Sequence, residues 1–590
     1  MMMNRRDFFR TSSAVAVMTA LPFISENVAL AVIDPIREGT LTLPASNDVT
    51  LGGLFGKMYE AGLVRLTKDP INKNFVLADV NFNMQRTFTN FSGDISGRFL
   101  EICSSVAHGK NLATPDFLQE VIDEIVKYQK PDGHFGAETD WWGELDLLQG
   151  TDQAVMMPIL WGNGRLLLGL TAAWDAFRKE ATLSAAKKLG DFYVNTVEPR
   201  FCDPKRMEEY TVVSPGYASA YVTCVYEGME GLVQLYRATK EKKYLDCVVK
   251  MADFHEKFDV LPVRHSHGSL SEHEGLMMIY EETGDPKYLA RVEKRWEEAV
   301  SGGYINVCGS VLEKFHVSYD GFVADEGCSE ADWLRLNLML WRNTGKDKYL
   351  DMAERLLYNG YVANQWPSGG YGHRFLGIDG KGPFSYRRYW GESYWCCSYH
   401  CPLGLYDLKR YLVVAKDGKI RMNFGKIFTA SVEINGQKWV VTSDLKDGEF
   451  IVKIAGPAGA SVSFEVRKPG WATKVSVSYG CGKVADLTKP VTAGTTLKIR
   501  YECGYRLESR SLQPLEMPKS GDQLKEVAIF YGPKVMVAKA GDGEKIEDVT
   551  LAIQDGVLTG SDALTTFKDL YFTEEERLQG HSFLFNVTVK

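Results

Sequence analysis

The chain has 590 residues, a formal net charge of -8 and 45% hydrophobic residues, which is globular composition with length for several domains and a sizeable core. Mild acidity argues against a nucleic-acid partner, which would call for a basic face. Aromatic residues make up 12% and cluster, as they do where flat rings pack on the apolar faces of sugars.

Taken in chain order, Arg5-Arg6 precedes an apolar run from about Ala14 to Phe23 and then Ala29-Leu30-Ala31. That pattern reads as a twin-arginine (Tat) export signal over residues 1–31, placing the mature protein in a bacterial periplasm or outside the cell. No later stretch has the ~18 apolar residues of a membrane helix, so no membrane partner is expected after processing. Residues 32–56 read as a short β lead-in. From 57 to 412 helical periodicity takes over and a unit repeats: Gly169-Leu170 with Trp174, Gly231-Leu232 with Tyr236, Gly275-Leu276 with Tyr280. The last two units run into Thr239-Lys240 or Thr283-Gly284 and then Lys-Tyr-Leu, and the same ending recurs at Thr344-Gly345 and Lys348-Tyr349-Leu350. A helix ends at each such turn and a second begins just after it. The spacing of about 44 to 62 residues suits helical hairpins. Long connections such as Trp141-Trp142-Gly143 and Trp366 to His373 suit the rim of a cavity, which favours a closed (α/α)6 barrel over an open solenoid.

After Tyr411 the pattern alternates with period two and is punctuated by Gly and Pro, as in Ser431–Ile434, Phe450–Ile454 and Thr496–Arg500. Residues 413–504 therefore read as an antiparallel β-sandwich and 505–590 as a smaller C-terminal β module.

Eleven cysteines without regular spacing make a poor disulfide framework. The adjacent pair Cys396-Cys397 is the exception that asks for an account: a vicinal disulfide, two inert buried thiols, or two soft ligands for one metal ion. Glu326-Gly327-Cys328, an acid and a thiol opening a helix, adds a carboxylate and a third sulfur, a set that suits tetrahedral zinc. Cys401 and His400 stand as alternative ligands. Glu313 is a second acid upstream, with a solvated pairing to Lys314 as the plain alternative. Tyr386 and Trp395, beside the cysteines, are candidate surfaces for a sugar to stack on.

Glu326-x-Cys328, then Cys396-Cys397, then Lys468-Pro469-Gly470-Trp471-Ala472, in that order, resemble the β-L-arabinofuranosidases of glycoside hydrolase family 127. The strand Val527–Tyr531 with Gly532-Pro533 resembles a strand of that family too. The resemblance implies a retaining exo-glycosidase that removes arabinofuranosyl or a related sugar from an oligosaccharide or polysaccharide side chain. It implies zinc held by Glu326, Cys328, Cys396 and Cys397, with Cys396 as nucleophile, Glu313 as acid/base and His265 binding substrate. Two places depart from the family. Asn163-Gly164-Arg165 stands where Leu-His-Lys is usual, and Ser398-Tyr399-His400 follows the cysteine pair instead of a Pro-Pro-Asn run. Arg165 is accordingly expected to meet an altered, acidic or branched sugar. Two other readings compete: a polysaccharide lyase or unsaturated-uronyl hydrolase on the same barrel, and a non-catalytic glycan-binding protein with structural zinc.

Overall fold

The structure, a computed structural model, describes residues 41–107, 109, 112–136, 153–204, 223–258, 265–313, 315, 325–374, 381–383, 392–539, 548–554, 557–560, 564–566, 580–582 and 584–590. The export segment, Trp141-Trp142-Gly143 and Tyr386 lie outside these residues. The protein is mixed helical and β. Its longer helices are α1 (Gly53–Arg65), α2 (Lys73–Asn81), α3 (Asp94–Val106), α4 (Leu118–Ile125), α5 (Gln153–Phe177), α6 (Glu180–Phe192) and α7 (Met229–Thr239). They continue as α8 (Lys242–His255), α9 (Ser266–Thr283), α10 (Pro286–Ser301), α11 (Gly327–Thr344), α12 (Lys348–Leu356) and α13 (Cys397–Arg410).

Two kinds of helix alternate. In α9 every residue from Ser266 to Tyr280 is buried, and α3 and α11 are buried nearly all round. In α10 only Tyr288, Leu289, Val292, Trp296 and Ala299 are buried, one stripe of an amphipathic surface helix. The buried helices touch in succession: α3 on α5, α5 on α7, α7 on α9, α9 on α11, α11 on α13, and α13 back on α3. Each amphipathic helix packs on the buried helix before it, as α6 does on α5, α8 on α7, α10 on α9 and α12 on α11. At the α3–α5 crossing the backbones meet, since a methyl group on Gly97 would lie 2.4 Å from the carbonyl carbon of Arg165.

The expected Thr-Gly turns close the hairpins. Gly284 (φ 71°) and Gly345 (φ 68°) take the left-handed conformation and donate their N–H groups to Tyr280 and Trp341. Lys240 does the same at φ 59°, although it carries a side chain. Asp285 then caps α10, accepting from Lys287 N, with Pro286 in the first turn.

The β lead-in joins the later strands. Leu41–Thr42 pairs with Val413–Lys416 on the edge of a five-stranded sheet, and Val49–Leu51 pairs with Phe428–Ile434 on the edge of a six-stranded sheet. The buried residues of both sheets belong to the same core as the helices. A nine-stranded sheet built mainly from residues 505–589 has a smaller core of its own around Leu507, Val527, Ile529, Leu551 and Val587, sends Ala528, Phe530, Val535 and Val537 into the main core, and takes in Lys381–Pro383 from the helical region. No described helix is long and apolar enough to cross a membrane.

Lys468-Pro469-Gly470-Trp471-Ala472 lies where the strands meet α12. Glu354 of α12 is buried and accepts from Trp471 Nε1 (3.0 Å), Arg467 Nη1 (3.2 Å) and Lys426 Nζ (3.3 Å), while Gly470 N donates to Asp351 (2.8 Å). Burial alone would raise the Glu354 carboxyl, but Lys426 and Arg467 outweigh it and hold it below its ordinary value. Glu354→Ala leaves these buried cations short of a partner and should destabilise the protein by about 3 kcal/mol in denaturant unfolding. Because the folded carboxyl is lowered, the wild-type contribution is complete above the ordinary carboxylate range and is lost as pH falls through the lowered value. The gap between wild type and variant should therefore narrow in acid.

Candidate active site

The N-terminal ends of four buried helices, α3, α9, α11 and α13, border one open cavity lined by Phe88, Phe91, Asp94, Arg98, Trp161, His265, His267, Glu313, Glu326, His373, Trp395 and Cys396. Helix starts carry unpaired N–H groups and the positive end of the helix dipole, so this rim favours anionic side chains.

The sequence-distant acid and cysteines meet here. Glu326 is the N-cap of α11 and Cys328 its second residue; Cys396 is the N-cap of α13 and Cys397 its first residue. One ligand atom from each of the four lies within 4.8 Å of all the others. Cys397 Sγ stands 3.5 Å from both Cys328 Sγ and Cys396 Sγ, so the pair is not a disulfide. That separation matches neighbouring sulfurs about one metal ion, roughly 3.5–4 Å for metal–sulfur bonds near 2.3 Å. Ser329 Oγ donates to Glu326 Oε2 (2.8 Å) and fixes the carboxylate.

Electrostatics fit a cation. Burial, then the neighbouring Cys328 and Glu313, push the Glu326 carboxyl well up. Burial pushes Cys328 up, and hydrogen bonding to Cys328 and Cys397 pushes Cys396 up. Burial also opposes the Cys397 thiolate, yet hydrogen bonds from Cys328 and Cys396 bring Cys397 down to about 6. Four acidic groups so close cannot all ionise unless a positive charge sits among them.

The walls are aromatic and basic. Phe88 and Trp395, and Phe91 and Trp161, meet edge to face with centroids 6.5 and 6.3 Å apart. His265 caps α9 through Nδ1, which accepts from Gly268 N at 3.3 Å, and its Nε2 lies 4.0 Å from Glu326 Oε2. A two-residue ladder sets His373 directly opposite Glu326, with His373 Nε2 3.9 Å from Glu313 Oε2 and Nδ1 3.1 Å from Ser393 Oγ. From the wall inward, His267 Nδ1 and His400 Nε2 share the two oxygens of buried Asp332. Burial, followed for His267 by Arg98 and Arg165, keeps both imidazoles well below their usual range.

The family described as "Beta-L-arabinofuranosidase, GH127 catalytic domain" matches residues 67–401. The chain belongs to this family. A GH127 β-arabinofuranosidase structure is similar at a TM-score of 0.67 and 16% identity, covering 94% of this chain and 99% of the other. A GH127 β-L-arabinofuranosidase from Geobacillus stearothermophilus T6 is similar at 0.63 and 14% identity, covering 92% of this chain and 100% of the other. No curated protein matches the chain. As a member of GH127, the protein is a β-L-arabinofuranosidase-like glycoside hydrolase, and the expected resemblance holds.

Of the residues singled out in the sequence, His265, Glu313, Glu326, Trp395 and Cys396 line the cavity, and Cys328 and Cys397 lie fully buried beneath it. His400 and Cys401 stay outside the four-residue group: His400 is bound to Asp332, and Cys401 Sγ donates to Gly327 O at 3.0 Å. Arg165 does not line the cavity. It is 0% exposed, with Nε 2.8 Å from Glu227 and Nη1 3.4 Å from Glu230, because α5 turns it toward the acids of the neighbouring helix and not toward the mouth. Asp94, Arg98, Trp161 and His373 line the cavity without having been singled out. Asp94 and Arg98 stand at i,i+4 in a helix that also carries Glu101 and three serines, so their spacing gave no signal that set them apart.

Among the four ligand residues Cys396 alone combines a thiol with partial exposure to the cavity. In metal-free protein Cys397 has the more acidic thiol but no access to solvent, so a small alkylating reagent should modify Cys396 about tenfold or more faster than Cys328 or Cys397. Peptide mapping by mass spectrometry checks this.

Proposed function

We propose that the protein is an exported, zinc-dependent, retaining exo-glycosidase that uses Cys396 as nucleophile and removes β-L-arabinofuranosyl or a related sugar from plant-type glycans. The observation that carries this reading is the convergence of Glu326, Cys328, Cys396 and Cys397 on one point in the wall of a cavity that Glu313 also lines. The closed succession of six buried helices, each backed by an amphipathic one, supports an (α/α)6 barrel as the frame. The two sheets that share the barrel's core support a sandwich after it, and the sheet with a core of its own supports a third, smaller module.

Glu326, Cys328, Cys396 and Cys397 would hold the ion, and three sulfurs with one carboxylate suit zinc better than a hard, oxygen-seeking cation. Zinc bound there would keep the thiols deprotonated at neutral pH. The reaction itself belongs to the side chains. Cys396 sulfur forms a bond to the anomeric carbon while the glycosidic C–O bond breaks, and Glu313 gives its proton to the departing oxygen. Glu313, now a carboxylate, takes a proton from water, whose oxygen bonds to the same carbon as the sulfur leaves. Two displacements return the starting configuration. Trp395, Trp161, Phe88 and Phe91 offer ring surfaces to the sugar, and His265 a hydrogen-bonding group.

The arginines near the site are already matched, Arg98 by Asp94 and Arg165 by Glu227 and Glu230. That favours a neutral sugar over a uronic acid, and a hydrolase over a lyase that must neutralise a carboxylate. The Arg5-Arg6 segment supports export by the Tat route to the periplasm or beyond.

Cys396→Ser and Glu313→Gln should each lower kcat/KM on aryl β-L-arabinofuranosides by about 100-fold or more with circular dichroism unchanged. Activity that survives Cys396→Ser sinks the thiolate mechanism. A chelator should abolish turnover and added zinc should restore it.

A further inference from the structure

We infer that Arg98 is a positioning residue for the cysteine centre: its guanidinium, held by Asp94 and His267, engages Cys328, so that Cys396 alone is presented as nucleophile. The inference rests on the metal–thiolate reading above.

Arg98 is 2% exposed and is the only lysine or arginine among the described residues lining the cavity. Its fork is used in three directions. Nε donates to Asp94 Oδ1 at 2.7 Å, Nη2 to His267 Nε2 at 2.7 Å, and Nη1 to Cys328 Sγ at 3.7 Å. An arginine can only donate, so His267 Nε2 accepts and the imidazole carries its proton on Nδ1, toward Asp332. Asp332 in turn accepts from His400 Nε2. The His267 ring is thereby fixed, and with Asp94 it leaves the guanidinium one orientation, facing Cys328.

The charge balance explains why such an arm is needed. A divalent ion among one carboxylate and three thiolates leaves two negative charges in excess, in a place where Cys328 and Cys397 are 0% exposed. Arg98, whose own charge is paired with Asp94, turns an N–H of its guanidinium toward that excess at Cys328. A thiolate that accepts a hydrogen bond has a lone pair engaged and is a poorer nucleophile, and this bond falls on Cys328. Cys397 is closed off within the first turn of α13. What remains facing the cavity is Cys396. A lysine would carry the charge but could not reach three acceptors with a planar fork.

Zinc affinity of the full chain, measured by competition with a chromophoric chelator, tests the inference together with the absorption spectrum of the cobalt(II)-substituted protein. Arg98→Met should bind zinc about 10–100-fold more weakly, and its sulfur-to-cobalt charge-transfer band should move to longer wavelength. Arg98→Lys should recover part of the affinity. A folded Arg98→Met with wild-type affinity and an unmoved band overturns the inference. Should Arg98→Met not fold, His267→Ala decides, since releasing the guanidinium should move the band the same way and an unmoved band is contrary. Wild type that takes up neither zinc nor cobalt refutes the metal reading and this inference with it. Uptake by wild type with unaltered variants refutes the inference alone.

Discussion

Three sulfurs and one carboxylate stand within 4.8 Å of one another at the edge of a cavity, three of the four residues being almost fully buried. Bringing like charges together away from water is among the costliest arrangements a protein can adopt, and removing one partner from such a set leaves the others uncompensated. The surroundings are built to meet that demand. The backbone N–H of Cys328 bonds Cys397, Ser329 holds the carboxylate, and Arg98 reaches the buried Cys328 sulfur. The same density of acid is what suits the place to the soft metal ion proposed for it.

The helical ring converts distance in sequence into contact. Glu326-Gly327-Cys328 and Cys396-Cys397 open α11 and α13, neighbours in the ring, so the two motifs meet because their helices start side by side. The crossover between them contributes His373 through a short ladder opposite Glu326. The strands that follow act from outside. Their Trp471 and Arg467 fasten onto Glu354 of α12, so the Pro-Gly-Trp-Ala motif is a clasp between helices and sheets and lies apart from the cavity lining.

Much of this could be read from the sequence, because local chemistry recorded it. Thr283-Gly284 and Thr344-Gly345 announced their turns through the need for a left-handed residue, and the strands of 413–504 through period-two alternation. The four residues were legible as a group because an acid-x-thiol motif and an adjacent pair of thiols are unusual in combination. What stayed hidden depends on non-local pairing. Nothing in Leu41–Thr42 says that it will lie beside Val413–Lys416. Asp94 and Arg98 have the spacing of any solvated helical ion pair, and only the ring buries them. Arg165 suggested a sugar contact by its place in a departed motif, yet Glu227, just before α7, and Glu230, in its first turn, claim it.

The account stands on one sulfur, and a covalent trap tests it most directly. An epoxide of arabinofuranose shape, opened only by a nucleophile placed at the anomeric position, should inactivate the zinc-loaded protein with one equivalent bound. Peptide mapping should find the label on Cys396. A label on a carboxylate such as Glu313 or Glu326, or turnover undiminished by the epoxide, would contradict the account.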